Sequence, residues 1–324
     1  MKRKWLLSAA LFSALTLAAC GDDKNKEEIH IGYFPNMTHI TTIVALEKGF
    51  FTEQLGADIE IKTSTFPDGG SFMEAMSTGN VDYGTVGPTP ALNTYLKNPA
   101  HEIIAGAVNG GAVLVTRADS GIESIEDLKG KKIAIPTFGS TQDIGLRKTL
   151  QKAGLTADDV ELIKQAPADT AALFLQGEID AAATQEPWGV NIETNAGANL
   201  LEGADEFAWG NESTNTVVVA TTKFSDNNPE LTEAALRAHV QAVEFIEENR
   251  DEAIDLFLAH IEEITGKALS EEEVTKAFDR VTPTTEVKED VLQEMAKISL
   301  DADYTTKDDI TGLVNLEFLE AAKQ

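Results

Sequence analysis

Three short loops combine polar groups with helix starts and contain no basic residue. They are Phe34–His39, Gly87–Thr89 and Phe138–Gln142, and each follows a β-rich run. The first turn of a helix has unpaired N–H groups and about half a positive charge, so two helix starts that face one cleft can bind a small anion without arginine or lysine. Ligands of open α/β sheets lie beyond the carboxyl ends of strands, where these loops fall. The loops therefore predict a small-anion site.

The candidate ligand contacts in these loops are glycines and residues with an amide, a hydroxyl or an imidazole. They are Asn36, Thr38, His39, Gly87, Thr89, Gly139, Ser140 and Thr141. Simpler interpretations stay open: Ser140 and Thr141 as a plain N-cap, His39 as a structural histidine and Asn36 as a turn former.

A fourth polar segment, Gln185–Trp188, follows another β-rich run and adds Gln185 and Trp188 to the candidate contacts. Two roles are open for Trp188: it could cover an apolar part of a ligand, or it could pack in the core. Glu186 precedes a proline, which favours extended backbone. Because a carboxylate repels an anion, we expect Glu186 to tie lobe or hinge backbone.

Motifs of common enzyme classes are missing from the chain. No P-loop and no G-x-S-x-G run occurs, and the zinc pattern begun by His101 and Glu102 fails because residue 105 is alanine. The histidines are scattered. We therefore expect a protein that is not an enzyme and needs neither a cofactor nor a metal.

Size and charge narrow the class of protein further. The 324 residues exceed the usual size of a single core and suggest two lobes. A single cysteine excludes a disulfide within the chain, and the formal net charge of −28 disfavours nucleic acid as a partner.

Short β-rich runs alternate with helical runs, which is typical of α/β architecture. The order of elements recurs about a hundred residues later, most closely at Ser77–Asp82 and Leu175–Asp180, and indicates two similar lobes. Two further β-rich runs, 111–116 and 216–221, are placed to carry the chain between them. We predict lobe 1 over 29–113 plus 221–324, with helices at its C-terminal end, and lobe 2 over 114–220.

The N-terminus has the pattern of an export signal. Three basic residues precede the apolar run Trp5–Leu17, which is shorter than the ~20 residues of a membrane span. The ending Leu17–Cys20 resembles the bacterial lipoprotein lipobox, and this resemblance implies removal of 1–19 and acylation of Cys20. We expect 20–28 to be a flexible tether and the protein to lie on the extracytoplasmic face of the cell membrane. An ordinary signal peptide is the alternative.

The loops and the segments around them resemble the nitrate/sulfonate/taurine substrate-binding proteins of ABC importers, between residues 29 and 250. The matching segments are Gly32–His39, Glu47–Phe51, Gly79–Asp82, Val86–Pro90, Ile125–Ala134, Gly139–Thr141 and Gln185–Trp188. The resemblance implies a periplasmic-binding-protein-like type II fold: two Rossmann-like α/β lobes joined by two crossover strands, with a ligand cleft between them.

The same resemblance implies a function and a set of contacts. A monomer would capture a small oxyanion, such as an aliphatic sulfonate or taurine, and deliver it to a permease that has a separate ATPase. The oxyanion would contact Gly139, Ser140 and Thr141, with first-lobe contacts at Asn36 and Gly87–Thr89.

Other ligands and functions remain open. Pro88 stands where sulfonate binders often carry an acidic or small residue, and the Asn36–His39 loop is similar to relatives that bind a thiamine-pyrimidine precursor. Nitrate is a further candidate. A metal-binding or adhesive surface lipoprotein is the rival outside transport. Pyrimidine-synthase enzymes are the rival with catalysis, although they carry a cysteine-rich motif that this chain lacks.

Overall fold

The computed structural model describes residues 28–324 and contains two β-sheets, each covered by helices. The predicted signal peptide, Cys20 and all but the last residue of the predicted tether lie outside the described residues. The predicted α/β class with two lobes built around two sheets is confirmed, and so are the additional helices near the C-terminal end.

The first sheet has six strands in the order β11-β4-β10-β3-β1-β2. Their bounds are β1 (Glu28–Tyr33), β2 (Glu60–Thr65), β3 (Tyr83–Val86), β4 (His101–Gly110), β10 (Thr214–Thr221) and β11 (Val281–Pro283). β1 runs parallel to β2 and β3, whereas β10 is antiparallel to both β3 and β4. β3 and β4 are buried along their whole length, as expected for strands covered on both faces.

The second sheet has five strands in the order β7-β6-β8-β5-β9. Their bounds are β5 (Ala112–Thr116), β6 (Lys132–Ile135), β7 (Glu161–Lys164), β8 (Ala181–Gln185) and β9 (Asn199–Glu202). The centre is parallel, because β6 pairs with β7 and β8, and β5 is antiparallel to β8. Each sheet thus has a parallel half in which several strands end at one edge.

Helices cover both sheets and form a layer near the C-terminal end. Their bounds are α1 (Ile40–Glu47), α2 (Phe50–Leu55), α3 (Gly69–Ser77), α4 (Pro88–Lys97), α5 (Thr141–Lys152), α6 (Thr170–Gln176), α7 (Trp188–Ala196), α8 (Thr222–Asn227), α9 (Pro229–Glu248), α10 (Arg250–Thr265), α11 (Glu271–Phe278), α12 (Glu289–Asp301) and α13 (Glu317–Ala322). The apolar stripe of α9 is buried at Ala235, Ala238 and Ala242, as its helical spacing predicted.

The chain leaves the first sheet at Gly110 and Gly111 and enters the second at Ala112. Both glycines have a positive φ, and a Cβ at Gly111 would lie 2.6 Å from Cγ1 of Val281, so glycine fits this crossing. The predicted crossover over 111–116 therefore corresponds to this glycine pair followed by β5.

The second predicted crossover, over 216–221, lies wholly inside the first sheet. These residues belong to β10, which pairs with β3 along one edge and with β4 along the other. A buried run of valines has the same pattern in a central strand as in a crossover, which is why the sequence did not separate them. The chain returns to the first sheet between Glu202 and Thr214, and the lobe limits at 113/114 and 220/221 stay a prediction.

Burial lowers the pKa of three histidines in the described chain. The pKa falls to about 3 for His39 and to about 4 for His101 and His239, because the charged imidazolium loses its hydration in each position. An unfolded histidine titrates near 6.5, so between pH 6.5 and 4 the unfolded chain binds more protons than the folded chain. The stability that these residues contribute is complete above pH 6.5 and is lost as the pH falls toward 4.

We predict that His239→Gln reduces the acid sensitivity of the fold. Nε2 of His239 lies 2.8 Å from the carbonyl oxygen of Gly106, and a glutamine amide retains a donor for that oxygen without titrating. The loss of unfolding free energy between pH 7 and pH 5 should shrink by on the order of 2 kcal/mol. Urea denaturation of both proteins at the two pH values measures it. An equal loss in both proteins would contradict the assignment.

Candidate functional site

A cleft with an empty volume of about 400 Å³, including space open to solvent, lies between the two sheets. Loops after β1, β2, β3 and β6 line it together with the end of β8 and the start of β10. The lining residues are Phe34, Asn36, Thr38, His39, Pro67, Asp68, Gly69, Gly87, Pro90, Pro136, Ser140, Thr141, Gln142, Gln185, Asn215 and Thr216. The cleft thus lies where the carboxyl ends of parallel strands meet, as expected of a ligand site in α/β sheets.

Most of the candidate contacts come together in this cleft. Seven line it: Asn36, Thr38, His39, Gly87, Ser140, Thr141 and Gln185. Three are placed behind the lining. The Thr89 hydroxyl is fully buried and lies 3.8 Å from Sδ of Met295, Gly139 donates its N–H to Asp143, and Trp188 packs behind Asn36.

The start of α5 supplies backbone donors from the second sheet. Ser140 is the N-cap, and its Oγ accepts the N–H of Asp143 at 3.2 Å, so the simpler N-cap interpretation describes this contact. The same hydroxyl keeps its proton for another acceptor. The N–H groups of Thr141 and Gln142 have no acceptor among residues 28–324, as usual in a first helical turn.

A fully buried carboxylate fixes the α5 loop. Asp143 accepts hydrogen bonds from Gly139 N at 2.8 Å, from the Tyr304 hydroxyl at 2.5 Å and from Arg147 Nε at 3.0 Å. Tyr304 follows α12, in the C-terminal layer beside the first sheet. The loop geometry is therefore set from both sides of the cleft.

The start of α4 offers fewer donors than the sequence suggested. Pro88 and Pro90 occupy two of its first three positions, and proline has no N–H. A Cβ at Gly87 would lie 2.4 Å from Oγ1 of Thr141, so glycine lets the two loops touch. The two helix starts do face the same cleft, but α5 carries most of the donors.

Three lining side chains contain a buried oxygen without a hydrogen-bond partner in the described chain. These oxygens are Oγ1 of Thr141, Oε1 of Gln185 and Oγ1 of Thr216. Buried polar atoms are nearly always paired in native proteins, so a group of unpaired ones in one cleft points to a bound molecule or water.

His39 contributes no positive charge to the cleft. Its Nδ1 lies 2.8 Å from Oγ1 of Thr85, its ring centre is 4.6 Å from that of Phe34, and burial lowers its pKa to about 3. Both interpretations from the sequence therefore apply to this residue, since a structurally bonded histidine lines the cleft as a neutral group.

Asp68 is the one charged residue in the lining of this cleft. It is the N-cap of α3, because its Oδ1 accepts the Ser71 N–H at 3.0 Å. Its Oδ2 lies 3.3 Å from Nζ of Lys164 across the cleft. The carboxylate is thus already engaged twice, which limits its repulsion of an anion.

Glu186 joins the crossing between the two sheets to the loop after β1, as its sequence position suggested. It is fully buried; its carbonyl accepts the Met37 N–H at 2.8 Å and its own N–H donates to the Gly111 carbonyl at 2.8 Å. Oε1 lies 2.6 Å from Nη1 of Arg280, and Oε2 accepts the Val190 N–H at 3.0 Å. Burial raises the pKa of the Glu186 carboxyl, and Arg280 opposes that rise.

Sequence reasoning missed several lining residues. Gln142 lay inside a highlighted loop but was not selected, although its place in the first turn of α5 was a usable signal. Pro67 and Asp68 precede α3, Gly69 is its first residue, and Asn215 and Thr216 lie near the start of β10. Nothing in their local sequence links Asn215 or Thr216 to the other loops, since strand pairing alone brings them to the cleft.

Two other kinds of site were sought in residues 28–324. No group of three or more histidine, aspartate or glutamate side chains is arranged to bind a metal ion there. None of the described helices combines the length and the apolar character that crossing a bilayer requires.

The chain is similar in sequence and in fold to known proteins. Residues 22–259 match the profile described as the NMT1-like family. A Bacillus subtilis (strain 168) protein named as an aliphatic sulfonates-binding protein is 29% identical over 94% of this chain and 90% of its own length. The alkanesulfonate-binding protein SsuA of Xanthomonas axonopodis, bound to MOPS, has a TM-score of 0.75 at 21% identity, over 87% of this chain and 95% of its own.

An enzyme has a similar fold. The desulfurization enzyme DSZB has a TM-score of 0.67 at 17% identity and covers 92% of this chain and 99% of its own. The fold therefore accommodates both binding and catalysis, so the function has to be inferred from the chemistry of the site.

We predict that Arg280→Met destabilises the protein by about 3–5 kcal/mol, because it leaves the buried Glu186 carboxylate without its cation. The double variant Arg280→Met with Glu186→Gln should recover part of this loss, since a neutral amide still accepts the Val190 N–H. Urea denaturation at pH 7 measures both. Equal stability of the single and double variants would contradict the interpretation.

Proposed function

Because the chain belongs to the NMT1-like family, we propose that it is the extracytoplasmic substrate-binding protein of an ABC importer. It captures a small oxyanion, such as an aliphatic sulfonate or taurine, between its two lobes. The observation that carries this proposal is the start of α5 at the cleft, with free N–H groups and the unpartnered hydroxyl of Thr141. The name of the relative from Bacillus subtilis refers to aliphatic sulfonates, which supports the same ligand class.

The electrostatics of the cleft fit an anion bound by dipoles. Its lining contains no lysine or arginine, and His39 is neutral. The free N–H groups of the first turn and the helix dipole supply the positive potential instead. The Ser140 proton and the Asn36 amide add directed donors, so each oxygen of a small oxyanion finds a partner.

The seven lining candidates are the proposed contacts, and the three buried ones support them from behind. Binding of the ligand favours the closed arrangement, in which Thr141 meets Gly87 and Lys164 pairs with Asp68. Moving a balance of 1:99 between closed and open to 99:1 takes about 5.5 kcal/mol of differential binding. The closed form then docks on a permease with a separate ATPase, and we propose that the receptor acts as a monomer.

The same lining supports binding rather than catalysis. The one carboxylate in the cleft, Asp68, is committed to Ser71 and Lys164, and the one cysteine of the chain is Cys20 near its N-terminus. The lining hydroxyls of Ser140 and Thr141 have no hydrogen bond to a base among residues 28–324, which supports binding.

A neutral heterocycle of the thiamine-pyrimidine class is the second candidate ligand. The observation that favours it is the uncharged lining, because Asp68 is paired and the remaining lining side chains are neutral.

A thermal-shift series with ethanesulfonate, taurine, nitrate and an aminopyrimidine separates the two classes, and we expect the sulfonates to give the largest shifts.

We predict that Ser140→Ala combined with Thr141→Val weakens sulfonate binding by about 100-fold or more, because each hydrogen bond to a charged group contributes about 1.5–3 kcal/mol. Isothermal titration with ethanesulfonate and with taurine measures the loss. Ser270→Ala is the matched control, since it removes the N-cap hydroxyl of α11 outside the cleft. It should cost about 1 kcal/mol of stability without changing affinity. An unchanged affinity of the double variant would contradict the proposed contacts.

We predict that Cys20→Ala releases the protein from the membrane of the expressing bacterium. A lipid chain gains roughly 0.8 kcal/mol per buried methylene, so two or more chains hold a protein stably on a bilayer. Metabolic labelling with a fatty-acid analogue should mark the wild-type chain only. Labelling of the variant, or its retention on washed membranes, would argue against lipid attachment at this residue.

A further inference from the structure

One amide side chain of the cleft has its orientation fixed by a buried indole. Nε1 of Trp188 donates to Oδ1 of Asn36 at 2.8 Å and to the carbonyl of Pro35 at 3.2 Å. An indole N–H is a donor only, so the atom of Asn36 that faces Trp188 must be the oxygen. The NH₂ group of Asn36 is then the remaining polar group of a side chain that lines the cleft, and it has no other partner among residues 28–324.

A second amide in the cleft is fixed in the opposite sense. Nδ2 of Asn215 donates to the carbonyl of Gly110 at 2.8 Å, so the other end of Asn215 is its oxygen. That oxygen accepts Nε2 of Gln142 at 3.1 Å. The remaining polar atom of Gln142, a side chain that lines the cleft, is therefore its carbonyl oxygen Oε1.

We propose that Trp188 and Asn215 are positioning residues that set the hydrogen-bond polarity of the cleft: Asn36 donates to the ligand and Gln142 accepts from it. This inference rests on the proposed function and narrows its ligand class. The ligand that matches both groups carries a hydroxyl or amino group in addition to its oxyanion, since Oε1 of Gln142 is an acceptor. Nitrate and unsubstituted alkanesulfonates match only half of this pattern.

The burial of these residues explains why the polarity matters. Trp188, Asn36, Gln142 and Asn215 are all buried, so an amide that faces the wrong way leaves polar groups unpaired. Trp188 does not line the cleft, and its effect on a ligand passes through Asn36. Of the two roles suggested for Trp188 by the sequence, core packing fits its place in the buried hydrophobic core, and the proposed positioning of Asn36 is added to that packing.

A double-mutant cycle tests the role of Trp188. Trp188→Phe keeps an aromatic ring but removes the N–H, so the Asn36 amide is free to turn; we expect affinity for 2-hydroxyethanesulfonate to fall about tenfold. In an Asn36→Ala background the same substitution should change affinity by less than about twofold, because the group that it orients is gone. An equal loss in both backgrounds would show a merely structural role and overturn the proposal.

Tyr83→Phe is the matched control. It keeps a buried aromatic ring and removes a hydroxyl that donates to the carbonyl of Ala235 at 3.4 Å, outside the cleft lining, so the affinity should stay within twofold. Asn36→Asp gives a second route if Trp188→Phe does not fold. It retains the oxygen that accepts from Trp188 but replaces the NH₂ by a second oxygen, and sulfonate affinity should fall at least about 100-fold. An affinity unchanged by Asn36→Asp would overturn the donor role.

The acceptor role of Gln142 is tested by comparing two probes. The wild-type protein should bind 2-hydroxyethanesulfonate about tenfold more tightly than ethanesulfonate, and Gln142→Met should bring this ratio close to one. Equal affinities in the wild type, or an unchanged ratio in the variant, would overturn the acceptor role while leaving the proposed function intact. Binding of neither sulfonate by the wild type would overturn both.

Discussion

The buried glutamate at the end of β8 is the contact on which the site depends. Glu186 bonds through its backbone to Gly111, where the chain crosses between sheets, and to Met37, within the candidate loop Phe34–His39. Its carboxylate bonds to Val190 at the start of α7 and to Arg280 in the C-terminal layer. One fully buried residue thus joins the crossing point, both sides of the cleft and the helices behind them. A charge in such a place is stable only while it is paired, which makes the joint sensitive to the loss of Arg280.

The proposed ligand site likewise uses few charged groups. With a net charge of −28, the surface repels anions at long range, so attraction has to be local. The proposed site supplies this attraction without a cation, through the first turn of α5 and the hydroxyl and amide groups beside it. Hydrogen bonds to backbone and amide dipoles in a buried cleft are directional. They therefore favour a ligand whose acceptors and donors match those of the cleft. The neutral state of His39 fits this scheme, since a charged imidazolium would bind anions of many shapes.

Contacts from the C-terminal layer to the second sheet suggest how closure is balanced. Tyr304 bonds Asp143 beside the α5 loop, Glu294 pairs with Lys148, and Arg280 bonds Glu186 on the opposite side. These contacts join the layer that packs on the first sheet to helices of the second. In the proposed cycle of opening and closure, these contacts stabilise the closed arrangement without the ligand, so they lower the differential binding that the ligand has to supply. Basic residues are a minority in this chain, and several of them are used here.

Local sequence determined the elements and the polar loops. The alternation of β-rich and helical runs gave the α/β class, and Gly139–Thr141 marked the start of α5 because capping is a property of a few neighbouring residues. Tertiary structure decided the rest. The valines of β10 are equally suited to a crossover and to a central strand, and only pairing with β3 and β4 placed them in the first sheet. Asn215 reaches the cleft by that pairing, and Trp188 orients Asn36 across 152 residues of chain. Such contacts depend on long-range packing, which the local pattern of a sequence does not encode.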